Sequence, residues 1–546
     1  MTFTPKPGQE KVLAATEPVV IVMGGAGTGK TTTAAGVVRR ELAQTHRDRT
    51  PRRRALFLSF SRAAVSQILD RTSGTFGPHA AFVEVTTFHA FAWKLVKQFG
   101  SIVGLKDPKF ISPSEAKLFG TDDGVTYEDL IPMALRLVAV PAIQVHLQRR
   151  WAIIVCDEFQ DTTYDQFDLI TRIRGHARLL LLGDLNQCIY ANLPRVVGVG
   201  PERVAAAERL PGAVRVDLPE VSHRDPTNIL PAAAAAVRSR NFSHAAVQAA
   251  LDADMLSTRH TADYAAEPTV VAEVVAALRA DGYETVAIFS HHIDATADLS
   301  DALNAAGIGH EIVGLSDAVT SALEAQFEML SLAAGGGDSE LVRRALGIFV
   351  TSVERGRTPD LARMIAGQLG APATLVARLD ALVEALGVCT SVSETLEIVS
   401  EALDHLGLVR GGRPWSTATR LLRTLLGPRL CRATTLPAAG FGDLREKLTK
   451  QQVELLTNVD ADNPASVQLM GLYQSKGREA DATIVILRGN DYYGKEAEPM
   501  PNGSKLLYVV LTRARKKTVI LTFGRELSSL INPLAMLGRS ETPDPR

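Results

Sequence analysis

Gly24-Gly-Ala-Gly-Thr-Gly-Lys-Thr31 is the segment of this chain best suited to chemistry on a polyphosphate. Its spacing fits G-x-x-x-x-G-K-[ST], and it stands between an apolar run, Pro18 to Met23, and a helical stretch, Thr31 to Leu42. Gly24, Gly25, Gly27 and Gly29, with Ala26 and Thr28, let backbone N–H groups curl round phosphate oxygens, and the helix start adds positive potential. Lys30 is placed to reach the β- and γ-phosphates, Thr31 to hold Mg²⁺, and Thr32 to join the nucleotide contacts. A glycine turn of the dinucleotide-binding kind is the rival reading, but Lys30-Thr31 stands where that fold needs close helix packing.

A second acidic segment completes the set. Asp157-Glu-Phe-Gln-Asp161 directly follows the apolar run Ala152 to Cys156. A carboxylate at a strand end beside a phosphate loop is a second Mg²⁺ anchor, so Asp157 takes that role, and Glu158 is placed to orient and deprotonate a water. Taken alone, the segment would read as an acidic solvated turn.

The elements around these residues predict an α/β chain. Continuous apolar runs at Ala55 to Phe60, Phe82 to Thr86 and Leu179 to Leu182 alternate with helical stretches such as Phe88 to Phe99, the pattern of a parallel sheet covered on both faces. A second region repeats it, with runs at Thr285 to Ser290, Thr483 to Leu487 and Thr518 to Thr522. From about 325 to 460, Ala, Leu, Arg and Glu recur at helical spacing, which predicts an all-helical insertion, and 100–148 reads as a shorter one.

The 546 residues give room for three to four domains at roughly 150 each. Lys+Arg 59 against Asp+Glu 60 excludes a molecule that acts as one cation, though not a local basic groove. The four cysteines form no C-x-x-C pair, so zinc ribbons and a disulfide scaffold are excluded and a reducing, cytoplasmic compartment is expected. No run of about 18 apolar residues occurs, so no membrane partner is expected.

The order of segments resembles superfamily 1 DNA helicases of the UvrD/Rep/PcrA type, in a compact form. Thr4 to Gln9 is similar to the Q motif, Leu58 to Ala64 to motif Ia and Thr86 to Phe91 to Ib; Asp157 to Asp161 is nearly the family's motif II. Leu182 to Tyr190 resembles motif III, Ser222-His-Arg224 falls where IV belongs, and Gln474 to Glu479 and Tyr508 to Ala514 resemble V and VI.

The resemblance implies two RecA-like parallel-sheet domains of the P-loop NTPase class, each with a mainly helical insertion: 1–99 with 149–220 (1A), 100–148 (1B), 221–325 with 461–546 (2A), and 326–460 (2B). It implies ATP and Mg²⁺, with Gln9 reading the adenine, Gln187 sensing the γ-phosphate, Arg224 and Arg513 meeting its charge, and Glu479 on the ribose. His223 stands where the family stacks a tyrosine on adenine. Arg224 and Arg513 lie far from the phosphate loop in sequence; if both reach ATP, the nucleotide sits between two lobes whose closure makes a motor.

A DNA track follows on the same sheet edge. Phe60, Phe88, His89 and Tyr190 can stack on bases, Thr87 lies in the same Ib segment, and Arg62 and Lys476 can hold phosphates, with core packing the competing reading for each aromatic. The expected activity is an ATP-dependent helicase or translocase moving 3′-to-5′ on single-stranded or tailed duplex DNA. Two alternatives stay open: a DNA-binding ATPase subunit that recruits or licenses a partner nuclease, in repair or antiviral defence, and an ATPase of non-nucleic substrate. Departures from the family include Tyr190-Ala-Asn-Leu-Pro-Arg195, which lacks the usual aromatic, and Gly471-Leu-Tyr473 in place of a Thr and a His.

Overall fold

The structure is a computed structural model that describes residues 5–48, 53–60, 65, 68, 69, 74–192, 196–219, 221–223, 225, 227–290, 296–354, 358–432, 466–489 and 496–537. Of the expected site residues, Arg62 and Arg224 lie outside the described residues, as does 433–460 of the helical insertion.

Strands β1 (Val19–Met23), β2 (Arg54–Ser59) and β3 (Val83–Thr87) belong to a first sheet, while β4 (Lys109–Phe110) and β5 (Gly124–Val125) pair only with each other. With β6 (Trp151–Cys156), β7 (Arg178–Gly183) and β8 (Ala213–Asp217) the first sheet runs β3-β2-β6-β7-β1-β8, every pairing parallel. Strands β9 (Leu256–Thr261), β10 (Val286–Ser290), β11 (Glu311–Val313), β12 (Val467–Gly471), β13 (Ala480–Arg488) and β14 (Ala514–Phe523) make a second parallel sheet in the order β11-β12-β10-β13-β14-β9. The expected fold class holds: two RecA-like parallel-sheet domains.

Apart from β3, which is an edge, the apolar runs become interior strands because a parallel sheet covered on both faces buries every side chain. All five residues of β1 and all six of β6 are buried. Strands β8, β9, β11 and β12 went unread in the sequence. Three of them are edges, and an edge strand such as Leu256-Ser-Thr-Arg-His-Thr261 keeps polar groups that blunt outside pairing.

By contacts the chain divides into two compact units. One joins Met1–Lys94, Ile131–Gly314 and Asn458–Arg546 and holds both sheets. The other joins Leu95–Leu130 and Leu315–Thr457 and is mostly helical among the described residues. The helix Phe88–Phe99 carries the chain from the first into the second. Within the helical unit, the segments read as separate insertions pack together. Helix Pro113–Phe119 meets helices Asp317–Ala333 and Ser339–Val353, with Ser114 Oγ donating to Asp317 Oδ2 at 2.5 Å and Arg344 Nη2 to Glu115 Oε1 at 2.7 Å. Trp415, 2% exposed, lies against Phe349 with ring centroids 4.9 Å apart and donates its indole N–H to the Val399 carbonyl at 2.9 Å. Among the described residues, no single helix is long and apolar enough to cross a membrane.

One acidic side chain makes this helical unit sensitive to pH. Glu324 lies in the helix Asp317–Ala333; burial first, then Glu115, Asp317 and Glu328, push its carboxyl up to about 7. The unfolded chain releases that proton near 4.5, so the folded state holds it over the interval between. The stability this gives is complete below 4.5 and is lost as pH rises through about 7. The urea midpoint of the helical unit should therefore fall between about pH 5 and about pH 8, and Glu324→Gln should flatten that slope; an unchanged slope in the variant would place the titration elsewhere.

Candidate ATP site and strand path

The phosphate loop and the acidic segment stand at the carboxyl ends of β1 and β6, on either side of β7 in the first sheet, where open α/β sheets bind ligands. β1 delivers Gly24, whose N–H donates to the Gly183 carbonyl at the end of β7 at 3.1 Å. The loop then curls, with Gly27 at φ 75° and Gly29 at φ 83°, a left-handed conformation that glycine adopts without a Cβ penalty. At Gly29 a Cβ would also meet Gln9 Nε2 at 2.6 Å. Thr28 Oγ1 donates to the Gly25 carbonyl at 3.0 Å, and Lys30 Nζ to the carbonyls of Gly24 at 2.6 Å and Gly25 at 2.9 Å. Lys30 opens the helix Lys30–Asp48, and Thr32 is half-buried in its first turn.

Thr31 Oγ1 lies 3.4 Å from Asp157 Oδ2, which joins the phosphate loop to the end of β6. Burial pushes the Asp157 carboxyl up to about 6, and neighbouring Glu158 adds to the push while Lys30 opposes it. Two buried acids beside a hydroxyl are a donor set that a hard divalent cation would relieve, so the residues present fit Mg²⁺. Glu158 itself adopts φ 51°, which turns the chain sharply after β6 at a cost of roughly 1–2 kcal/mol for a non-glycine residue. Burial raises its carboxyl, but Lys476, Lys30, the Gln160 bond and Arg513 outweigh that and hold it below the usual range. Gln160 Nε2 donates to Glu158 Oε2 at 2.6 Å, and Gln160 Oε1 accepts from the Asp184 N–H at 3.0 Å.

The second sheet brings cations to this carboxylate edge. Helix Pro501–Leu511 presents Tyr508, whose hydroxyl accepts from the Ala26 N–H at 3.4 Å and donates to Asp184 Oδ2 at 3.3 Å. Arg513, 2% exposed, donates through Nη2 to Gln187 Oε1 at 2.7 Å, and Gln187 Nε2 donates to Asp184 Oδ2 at 2.8 Å. Arg513 and Gln187, expected to act on one phosphate, thus meet. Gln9, 1% exposed, donates to the Thr28 carbonyl at 3.0 Å and lies 3.4 Å from His223 Nε2, while the His223 N–H reaches the Gly27 carbonyl at 2.7 Å. Glu479 is buried and faces Arg515 at 3.5 Å.

The expected strand residues divide. Phe60 and Tyr190 are half-buried with rings 6.3 Å apart and 20° from parallel. Phe88 is 1% exposed: as the first residue of the helix Phe88–Phe99 its ring turns into the core, so it is not a stacking surface. Thr87 is buried and its Oγ1 accepts from the Ala90 N–H at 3.1 Å, a helix-start bond rather than a strand contact. Burial holds the His89 imidazole down to about 4, so it carries no charge toward a phosphate at neutral pH. Lys476 departs furthest from expectation. It is 2% exposed, ion-paired with Asp161, and its ammonium lies 4.8 Å from the Tyr190 ring centroid. Asp161, Gln160, Asp184 and Tyr508 carry the site without having been singled out; Asp184 had the same signal as Asp157, a carboxylate just past an apolar strand.

A family model described as an AAA domain matches residues 9–192, the segment from Gln9 through Asn192. The ATP-dependent DNA helicase UvrD1 of Mycobacterium tuberculosis is 24% identical over 56% of this chain and 49% of its own length. The chain is thus similar to this helicase over about half its own length. UvrD1 of Mycobacterium leprae is 27% identical over 36% of this chain and 27% of its own. The RecBCD enzyme subunit RecB of Mycolicibacterium smegmatis is 44% identical over 12% of this chain and 6% of its own. The chain spans about half the length, or less, of the curated relatives it matches.

The ion pair between the lobes has a measurable signature. Removing one partner of a buried pair leaves an uncompensated charge, worth about 3–5 kcal/mol. Lys476→Met should destabilise the unit that holds both sheets by that amount, and adding Asp161→Asn should restore most of it. A double variant no more stable than Lys476→Met, in urea unfolding, would show that Asp161 is not its partner.

Proposed function

We propose that the chain is an ATP-dependent motor on DNA, hydrolysing ATP between two RecA-like lobes and moving 3′-to-5′ on single-stranded or tailed duplex DNA. One observation carries this reading: Arg513 and Tyr508, from the second sheet's lobe, reach Gln187, Asp184 and Ala26 around the phosphate loop of the first. A nucleotide held by both lobes makes its own hydrolysis a change in their contact. The domain division 1–99 with 149–220, 100–148, 221–325 with 461–546, and 326–460 belongs to the same reading, as does a cytoplasmic location, where ATP and DNA meet.

In this mechanism Gly24 to Thr32 cradle the phosphates, and Gln9 with His223 faces the adenine. Thr31 and Asp157 would hold Mg²⁺, which neutralises phosphate charge when bound. Glu158, kept ionised by Lys476 and Lys30, takes the proton of the attacking water. Gln187 and Arg513, already hydrogen-bonded, stabilise charge on the γ-phosphoryl group, with Arg224 as a further cation and Glu479 toward the ribose.

A second reading, a DNA-binding ATPase subunit that recruits or licenses a partner nuclease, is favoured by the RecB match, because RecB is named as a subunit of an enzyme. Strand displacement on a 3′-tailed duplex separates the two: the motor opens it alone, the recruiting subunit does not.

The chemistry is tested by turnover with and without single-stranded DNA. Glu158→Gln should keep ATP binding and lose on the order of 10²–10⁴ in kcat, the contribution typical of a general base. Arg513→Ala should lower kcat far more than it weakens ATP binding. Near-parental turnover in Glu158→Gln would remove the base assignment, and turnover indifferent to DNA in the parent would remove the motor.

A further inference from the structure

Arg203 has no place among the cations around the phosphate loop, yet it is 0% exposed. It lies in the helix Pro201–Glu208, between β7 and β8. Its guanidinium carbon sits over two aromatic rings, 5.0 Å from the Tyr164 centroid and 4.5 Å from that of Phe167. Its Nε–H is shared between the carbonyls of Thr162 at 2.8 Å and Gly198 at 3.0 Å. Both terminal nitrogens are buried without a hydrogen-bond partner among the described residues. An apolar side chain would fill this space without burying a charge. What the guanidinium adds is the Nε–H bond to Thr162, the residue directly after the acidic segment.

A second bond acts with it. The Gly200 N–H donates to the Gln160 carbonyl at 2.6 Å, so the segment 198–203 holds the turn Phe159–Asp161 and its exit at two carbonyls, those of Gln160 and Thr162. Gly198 stands at φ 75°, and a Cβ there would meet the Tyr164 ring at 2.5 Å, so only glycine lets the chain pass this close. Through its side chain the same Gln160 donates to Glu158 Oε2 at 2.6 Å and accepts from the Asp184 N–H at 3.0 Å. Glu158 stands at φ 51°, a conformation that a non-glycine residue keeps only where its surroundings over-determine it. Arg203, acting through Thr162 and Gln160, supplies that constraint from outside the residues that face the phosphates.

We infer that Arg203 is a positioning residue for ATP hydrolysis: it fixes the turn that aims the Glu158 carboxylate at the attacking water, and it touches neither nucleotide nor water itself. The inference rests on the reading of Glu158 as the base proposed above. Loosening the turn displaces the base and leaves the phosphate loop as it is. The cost therefore falls on the chemical step and not on ATP binding.

The test uses the full chain and steady-state ATP turnover with saturating oligothymidylate. Arg203→Met should lower kcat roughly 10- to 100-fold, the scale of loss for a displaced catalytic group, with the KM for ATP within about threefold of the parent. Arg203→Gln, which keeps an N–H donor, should fall between Arg203→Met and the parent. The same substitution is then made in Glu158→Gln. There Arg203→Met should change the residual rate by less than about twofold, because the group it positions is already gone. A purely structural role would lower both rates alike. Stoichiometric ATP binding shows that a variant is folded; if Arg203→Met lacks it, Arg203→Gln is carried through the same cycle. Parental kcat in Arg203→Met, a loss confined to KM, or an equal loss in both backgrounds overturns the inference. Parental turnover in Glu158→Gln overturns the base assignment itself, a separate result.

Discussion

The structure depends on positive charge from one lobe being buried against the acids of the other. Lys476 lies against Asp161 with both side chains out of water, and Arg513 reaches Gln187. Burying such charges costs several kcal/mol each, recovered only when geometry supplies partners. The first lobe supplies them in bulk: Asp157, Glu158, Asp161 and Asp184 all stand just past the carboxyl ends of β6 and β7. An acidic edge of this kind would repel itself without the second lobe. The cations that keep the Glu158 carboxyl ionised include Lys476 and Arg513, which come from the second sheet's lobe.

That arrangement also makes Tyr190 and the acidic segment after β6 physically continuous. Lys476 touches Asp161 through its charge and Tyr190 through its ring face. Asp161 is three residues from Glu158, and Tyr190 three from Gln187. A displacement of the turn Leu472–Ser475 therefore reaches both the acidic segment after β6 and the Tyr190 ring without passing through a chain of intermediates. Interfaces packed this closely switch between discrete arrangements rather than deforming smoothly.

The helical unit follows different physics. It gathers two segments far apart in sequence, Leu95–Leu130 and Leu315–Thr457, round cores such as Trp415 against Phe349, with a patch of carboxylates at Glu115, Asp317, Glu324 and Glu328. Amphipathic helices cannot each bury an apolar face alone, so the short and long insertions share one core instead of forming two.

The sequence by itself determined the phosphate loop, the acidic segment after β6, the parallel-sheet class and the interior strands other than β12. Each of these is local: glycines at fixed offsets, a carboxylate after an apolar run, uninterrupted buried residues. Edge strands such as β9 escaped because half their surface is polar and their period resembles a loop. Only the tertiary structure decided the fate of single side chains. Phe88 and Lys476 carry the residue types of a strand contact, but one turns into the core and the other is drawn to Asp161 across 315 positions of sequence. Spacing along a chain reports neighbours on one element; burial and charge pairing between elements exist only once the sheets are brought together.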